Sequence, residues 1–250
     1  MDSCITLTFC ECSENHVGME QNGNIAATGY SPENITQVIE YLESNNYPQE
    51  NIEKYNLIDY LGANYQGKKP ELLVIRNLIS EHQDLYNNLI NIAWDRKYFD
   101  TRRQKVLNKR ARANLCFGES SQVADFENKK GTIVSYQSLP RLLEIKNTLE
   151  NMIGDHGLQC EGNLYDDITK NGIGWHGDAE RKKVIGVRLG TSAPLKFRWY
   201  KNSTIVGDTL SITLNSGDVY IMTEKTTGND WKKRNIYTLR HSAISDKYTK

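Results

Sequence analysis

The sequence predicts an α+β protein whose last third is a compact all-β unit. Two observations carry this. Amphipathic helical patterns recur only before residue ~155. After Asn163 the helical period disappears, and short apolar runs separated by Gly, Asn, Ser or Asp turns replace it. Seven or eight strands in so short a stretch suit a sandwich, a barrel or a jelly roll. The expected division is 1–155, an N-terminal α/β support region packing on the core, and 156–250, the core itself.

The elements follow in order. Residues 5–9, Ile-Thr-Leu-Thr-Phe, alternate apolar and polar as a half-buried strand should. Ser31-Pro32-Glu33 opens a helix with a capping hydroxyl, a proline at the first helical position and an acid in the first turn. That helix is expected to reach Glu43, before Asn45-Asn46. Leu72–Ile75 reads as a buried strand. Ser80 is placed to cap a helix running through Trp94, with Leu85, Leu89, Ile92 and Ala93 on one face. Leu139–Ile153 is another amphipathic helix, with Leu142, Ile145, Leu149, Met152 and Ile153 on its apolar side. The strand candidates beyond it are Ile173–Asp178, Val184–Leu189, Leu195–Tyr200, Thr209–Leu214, Asp218–Met222, Ile236–Ser242 and Lys247–Thr249.

Composition excludes some classes and leaves others open. The chain has 250 residues, with 31 basic and 31 acidic side chains, a formal net charge of zero. The zero conceals segregation. Residues 1–60 carry ten acids and one base, a net of −9, whereas 96–112 and 181–201 each carry a net of +7. An anionic substrate therefore stays open. No run approaches the length of a membrane span. The N-terminus lacks the basic and apolar regions of a secretory signal. Five cysteines at irregular spacing imply reduced thiols in a cytoplasmic or nuclear protein that is not secreted.

The chemistry concentrates in Gly174-Trp-His176-Gly-Asp178-Ala-Glu180. Side chains at i and i+2 of a strand share a face, so His176 and Asp178 can aim an imidazole nitrogen and a carboxylate oxygen at one point. Together they form two thirds of the 2-His-1-carboxylate triad that binds Fe(II). The only later histidine is His241, on a predicted late strand that a jelly roll can bring across the barrel.

With that third residue in place, 163–250 resembles the catalytic core of the Fe(II)/2-oxoglutarate-dependent oxygenases. It is similar both to the prolyl-4-hydroxylase branch and to the AlkB-type nucleic-acid dealkylases. The carrying pieces are Asn163-Leu-Tyr165, Gly174–Glu180, Val187-Arg-Leu-Gly190, Ser216-Gly-Asp218-Val-Tyr-Ile-Met222 and Thr238-Leu-Arg-His241-Ser-Ala. The whole chain looks like a narrower oxygenase group found in large DNA viruses and unicellular eukaryotes. The resemblance implies a double-stranded β-helix, a cupin-like jelly roll. It implies Fe(II) held by His176, Asp178 and His241, with 2-oxoglutarate and O2 as co-substrates and ascorbate as a stimulant. The implied reaction hydroxylates, or oxidatively demethylates, a C–H bond and yields succinate and CO2.

In this family a basic residue on the strand after the distal histidine holds the far carboxylate of 2-oxoglutarate. Lys247 and Lys250 are the candidates, and Lys247-Tyr248 fits the prolyl-hydroxylase pattern at a shorter interval than usual. Tyr165 and Asn163 match positions near 2-oxoglutarate, or else pack as ordinary strand residues. A second alignment sets Arg234 and Arg240 against the Arg-x5-Arg strand of the AlkB-type enzymes. It makes Arg240 a further cofactor-binding candidate, but leaves no histidine at the distal ligand position. Beside His241 on a strand, Arg240 should face the other way.

The implied prime substrate is a protein side chain or a nucleic acid base. Arg181, opening Arg181-Lys182-Lys183, and Trp175 are its contact candidates at the mouth of the site. Arg102, Arg103, Lys105, Lys109, Arg110 and Arg112 could track phosphates or form a solvated face. A rival reading is a non-catalytic jelly-roll module that binds nucleic acid. No membrane partner is expected, and the oligomeric state is not legible.

Overall fold

The computed structural model describes residues 2–249. Its elements are β1 (Cys4–Cys10), β2 (Cys12–Glu14), β3 (Gln21–Gly23), α1 (Pro32–Ser44), β4 (Ile52–Asn56), β5 (Glu71–Ile75), α2 (His82–Ile90), β6 (Lys97–Asp100), β7 (Lys105–Asn108), β8 (Ala113–Gly118), β9 (Ile133–Ser135), α3 (Pro140–Ile153), β10 (Gln159–Tyr165), β11 (Gly172–His176), β12 (Val184–Gly190), β13 (Ala193–Lys201), β14 (Thr204–Leu214), β15 (Val219–Met222) and β16 (Thr238–Ile244). The fold is mixed α/β and dominated by antiparallel sheets. An eight-stranded sheet runs β4-β5-β15-β12-β1-β10-β8-β9, and a four-stranded sheet runs β11-β16-β13-β14. Within the large sheet, β8 and β9 run parallel. Two small hairpins, β2-β3 and β6-β7, complete the strands.

Local sequence explains the main elements. Asn34 Oδ1 accepts from the Ser31 backbone N–H at 3.0 Å, closing the start of α1 ahead of Pro32. Gly154, in the left-handed region at φ 68°, ends α3. The helix expected over Ser80–Trp94 is shorter, because Trp94 turns back and its indole N–H donates to the Leu89 carbonyl at 2.9 Å. The β13-β14 hairpin is longer than the sequence suggested. Asn202 and Ser203 both take positive φ, the conformation that matches the twist of a tight hairpin, so pairing continues to Lys201↔Thr204.

β1 lies at the centre of the large sheet, between β10 and β12. All seven of its residues are buried. Ile5, Leu7 and Phe9 join the core that α1, α2 and α3 cover with Val38, Leu85 and Leu149. Thr6 and Thr8 point to the opposite face, which lines an internal cavity instead of meeting solvent. The division expected at residue 155 consequently runs through a single sheet, in which strands from before and after it alternate. A second apolar cluster joins the two sheets face to face: Leu72, Val74, Val184 and Met222 from the large one meet Leu195, Phe197, Trp199 and Leu239 from the small one. The strand expected at Lys247–Thr249 is instead a 3-10 turn over Asp246–Tyr248. Ser245 Oγ accepts from the Lys247 N–H at 3.2 Å and curls the chain out of extended conformation.

Candidate metal centre

A cavity of about 720 Å³ opens between the two sheets. The small sheet contributes its histidines through β11 and β16, where His176 and His241 are cross-strand partners. Their rings lie 4.3 Å apart between centroids, at 60°. β11 ends at His176 because the next residue must approach another backbone closely: a Cβ on Gly177 would lie 2.1 Å from the Gly228 carbonyl oxygen. The Asp178 N–H donates to Thr227 O at 3.0 Å, which pins the loop and turns the carboxylate back toward the histidines.

Asp178 Oδ1 then stands 3.7 Å from His176 Nε2 and 3.6 Å from His241 Nε2. These separations are too long for hydrogen bonds, yet one ligand atom from each residue lies within 4.8 Å of the others. His176 Nδ1 lies 2.7 Å from the Gly174 carbonyl, which fixes the tautomer that leaves a lone pair on Nε2. His241 Nδ1 is buried without a partner. Burial holds both imidazoles down to about 4; the neighbouring His241 adds to the effect on His176, and Arg181 to that on His241. They are neutral at physiological pH. Burial also pushes the Asp178 carboxyl up, with Arg181 opposing. Two neutral imidazoles and one carboxylate, converging without bonds to one another, fit a divalent transition metal.

The remaining predicted residues distribute unevenly. Tyr165 and Asn163 line the cavity. Asn163 Oδ1 accepts from Arg112 and Asn114, and its amide donates to Glu161 at 3.1 Å, so it braces the polar wall. Arg181 also lines the cavity but is no open mouth residue. It is buried, with Nη2 2.6 Å from Glu161 and 3.0 Å from Glu180. Its neighbours are engaged too: Lys183 pairs with Asp155 at 2.7 Å, and Lys182 Nζ donates to the Ala27 carbonyl at 2.7 Å. The basic mouth expected at 181–183 is thus a set of internal ties.

Trp175, one residue from His176 on the strand, does not line the cavity; the Arg198 guanidinium lies 4.5 Å over its ring. Arg240 lies outside the cavity lining, 4.0 Å over the Tyr200 ring and 5.3 Å from that of Trp231. Lys247 is exposed on its turn, with Nζ 5.6 Å from the Tyr248 ring and no share in the cavity wall. Lys250 lies outside the described residues.

Sequence reasoning missed Arg188, Glu161, Tyr220, Thr6 and His16, all of which line the cavity. Arg188 had a signal: it is a lone charge inside the otherwise apolar run Val184–Gly190. His16 stacks on Tyr98 at 3.7 Å, tying β6 to the cavity rim. At that rim Val17 is 74% and Ile25 48% exposed. A Cβ on the rim residue Gly18 would meet Thr101 in the β6-β7 turn at 2.9 Å. The exposed Arg102, Arg103 and Lys105 sit in and beside that turn.

All five cysteines are free and buried. Among the described residues, no helix is long and apolar enough to cross a membrane. No protein-family model matches the chain. The chain is 42% identical over 249 residues to "Uncharacterized protein R156" of Acanthamoeba polyphaga mimivirus, an alignment covering 98% of this chain and 97% of the viral protein. With that identity sustained across nearly both full lengths, the chain belongs to the same protein family as this mimivirus protein.

Proposed function

We propose that the protein is an Fe(II)- and 2-oxoglutarate-dependent dioxygenase with a double-stranded β-helix core. The observation that carries this is the convergence of His176, Asp178 and His241 on one point of a cavity enclosed between two antiparallel sheets. The order of these residues supports the same reading: His176 at the end of β11, with Asp178 in the loop just after it, precedes the distal histidine on the hydrogen-bonded neighbour β16.

Bound to these three residues, iron would supply the oxidative decarboxylation of 2-oxoglutarate and the coupled hydroxylation. The chain's own contribution is positional. His176 and His241 offer neutral nitrogens because burial keeps protons off them. The Gly174 carbonyl orients the His176 ring. The close Gly177–Gly228 backbone contact holds Asp178 in place. Ile173, Val184, Leu195 and Met222 keep much of the wall apolar and limit water around the reacting centre.

The prime substrate would be a protein side chain or a nucleic acid base. One observation favours the base: Arg102, Arg103 and Lys105 are exposed around a turn packed on the rim of the same cavity. Cations there would follow a phosphate backbone while a base entered below. The enzyme reading is tested by Fe(II)-dependent conversion of 2-oxoglutarate to succinate. The expected result is slow succinate formation that His176→Ala abolishes. If no succinate forms and His176→Ala binds metal as well as the unmodified chain, the reading gives way to the non-catalytic nucleic-acid-binding module.

A further inference from the structure

Arg188 is the most anomalous charge in the molecule. Its guanidinium carries a permanent positive charge, yet the residue is 0% exposed. Its one hydrogen-bond contact is weak, Nη1 to Cys4 Sγ at 3.5 Å. Nε and Nη2 are buried without any partner. Two other enclosed arginines are compensated, Arg181 by Glu161 and Glu180 and Arg76 by Glu53 and Asp218, and the half-buried Arg112 of the same cavity donates to Asn163. A buried cation with free donors and no counter-ion is costly unless an anion arrives. A planar fork of unused N–H groups suits a carboxylate in particular.

The position of Arg188 sharpens this. On β12 it pairs with Thr6, which on its other side pairs with Asn163, so all three share the face that lines the cavity. Cys4, which the guanidinium touches, packs with Tyr165, Ala193 and Ile244. Across the cavity, Ala243 pairs with Leu195 and lies two residues beyond His241 on the same face of β16. Two residues of strand advance about 6.7 Å. An apolar wall of Leu195, Ala243 and Ile173 therefore leads from the histidines toward the arginine's end of the cavity. Burial keeps the Tyr165 and Tyr220 hydroxyls protonated, as neutral groups in the same wall. One end of this cavity offers metal ligands, the middle offers aliphatic contact, and the other end offers an uncompensated cation. That sequence of environments matches a short dicarboxylate.

We infer that Arg188, on a strand that precedes the distal histidine, receives the far carboxylate of the dicarboxylate co-substrate. Lys247 does not, being exposed and outside the cavity wall. The inference rests on the dioxygenase reading above. It assigns the anchor to an earlier strand than the one the family resemblance implies.

The test is calorimetric titration of 2-oxoglutarate, and of pyruvate, into the full chain loaded with redox-inert Mn(II). Pyruvate has the keto-acid end but no second carboxylate. The expected result is that Arg188→Met weakens 2-oxoglutarate on the order of 30- to 100-fold, as for a lost hydrogen-bonded charge contact. Its pyruvate affinity should stay unchanged, and Lys247→Ala should bind both as the unmodified chain does. Thermal unfolding supplies a second readout. Without ligand, Arg188→Met should be at least as stable as the unmodified chain, since an uncompensated charge is removed. With 2-oxoglutarate, the unmodified chain should gain stability and Arg188→Met much less at the same concentration. Arg188→Lys, which keeps the charge but not the fork, should fall between the two, and it serves if the methionine variant does not fold.

Retention of 2-oxoglutarate affinity within threefold in Arg188→Met, or its loss in Lys247→Ala, overturns the assignment while leaving the oxygenase reading standing. Failure of the Mn(II)-loaded unmodified chain to bind 2-oxoglutarate at all overturns both.

Discussion

Replacing Glu161 by Gln separates two roles for Arg181, substrate contact and internal brace. In the structure the two side chains meet at 2.6 Å, each only about 6% exposed. Burial pushes the Glu161 carboxyl up, but Arg181, helped by Arg112 and the Asn163 amide, more than offsets it and holds the group below the ordinary carboxylate range. Glu161→Gln keeps an acceptor for Asn163 and removes only the charge. Breaking one side of a buried pair costs about 3–5 kcal/mol, because the surviving charge is stranded. Glu180 remains 3.0 Å from Arg181, so the low end applies, about 3 kcal/mol. For a chain of this size that is a fall in Tm of about 6–12 °C, measurable by calorimetry or urea unfolding. Removing both partners, Glu161→Gln with Arg181→Met, should recover part of the loss. The sign with pH follows from the depressed pKa. The stabilisation is complete above the unfolded value near 4.3 and disappears as pH falls through the lower folded value. A loss under about 1 kcal/mol in Glu161→Gln, typical of exposed pairs, would refute the brace and restore Arg181 as a free cation.

Further outcomes follow from the same geometry. In the metal-free protein both triad imidazoles sit near 4, below the unfolded value of about 6.5. Unfolding therefore takes up protons, and stability should fall as pH drops from 6.5 to 4, by about 1.4 kcal/mol per unit for each imidazole. His176→Ala with His241→Ala should flatten that slope in pH-dependent urea melts. Gly177→Ala forces a Cβ to 2.1 Å from a carbonyl oxygen. It should cost about 1–3 kcal/mol and weaken Mn(II) binding measured by EPR, whereas an alanine at Gly154, where nothing lies within 4 Å, should spare the metal. Neutralising Arg102, Arg103 and Lys105 together should lower the salt slope for single-stranded oligonucleotide binding by about 2, with Tm unchanged. An unaltered slope would remove the turn from the substrate path.

The convergence of His176, Asp178 and His241 was legible because few residue types can ligate a metal and His241 was the only later histidine. The strand expected to run to Asp178 stops at His176, so Asp178 reaches the same point from a loop and not by the strand pleat. The start of α1 was legible for a similar reason, since Ser31-Pro32 acts locally, whereas α2 begins at His82 with Glu81, not Ser80, at its cap. What stayed hidden depends on which face of a buried strand looks onto a cavity. The alternation of Thr6 and Thr8 reads the same whether the polar side meets water or an internal chamber. The lysines and arginine of 181–183 read as a surface cluster because their partners Glu161, Asp155 and Ala27 are distant in sequence. Lys247 was placed on a strand by its residue types, while the hydroxyl of Ser245 two positions earlier decides the turn.

The central place of β1 has a consequence for how the chain is made. Its hydrogen-bonding partners, Gln159–Tyr165 and Ile185–Gly190, leave the ribosome long after it does. Until then Ile5, Leu7 and Phe9 form a short, uncharged, strand-prone segment with both edges open, the kind most prone to pair with another nascent chain. The sheet cannot close before β15, which joins β12 to β5, has emerged, so folding is dominated by distant contacts and should be slow. A cell synthesising this chain would therefore need chaperones that shield Cys4–Cys10 until those partners emerge.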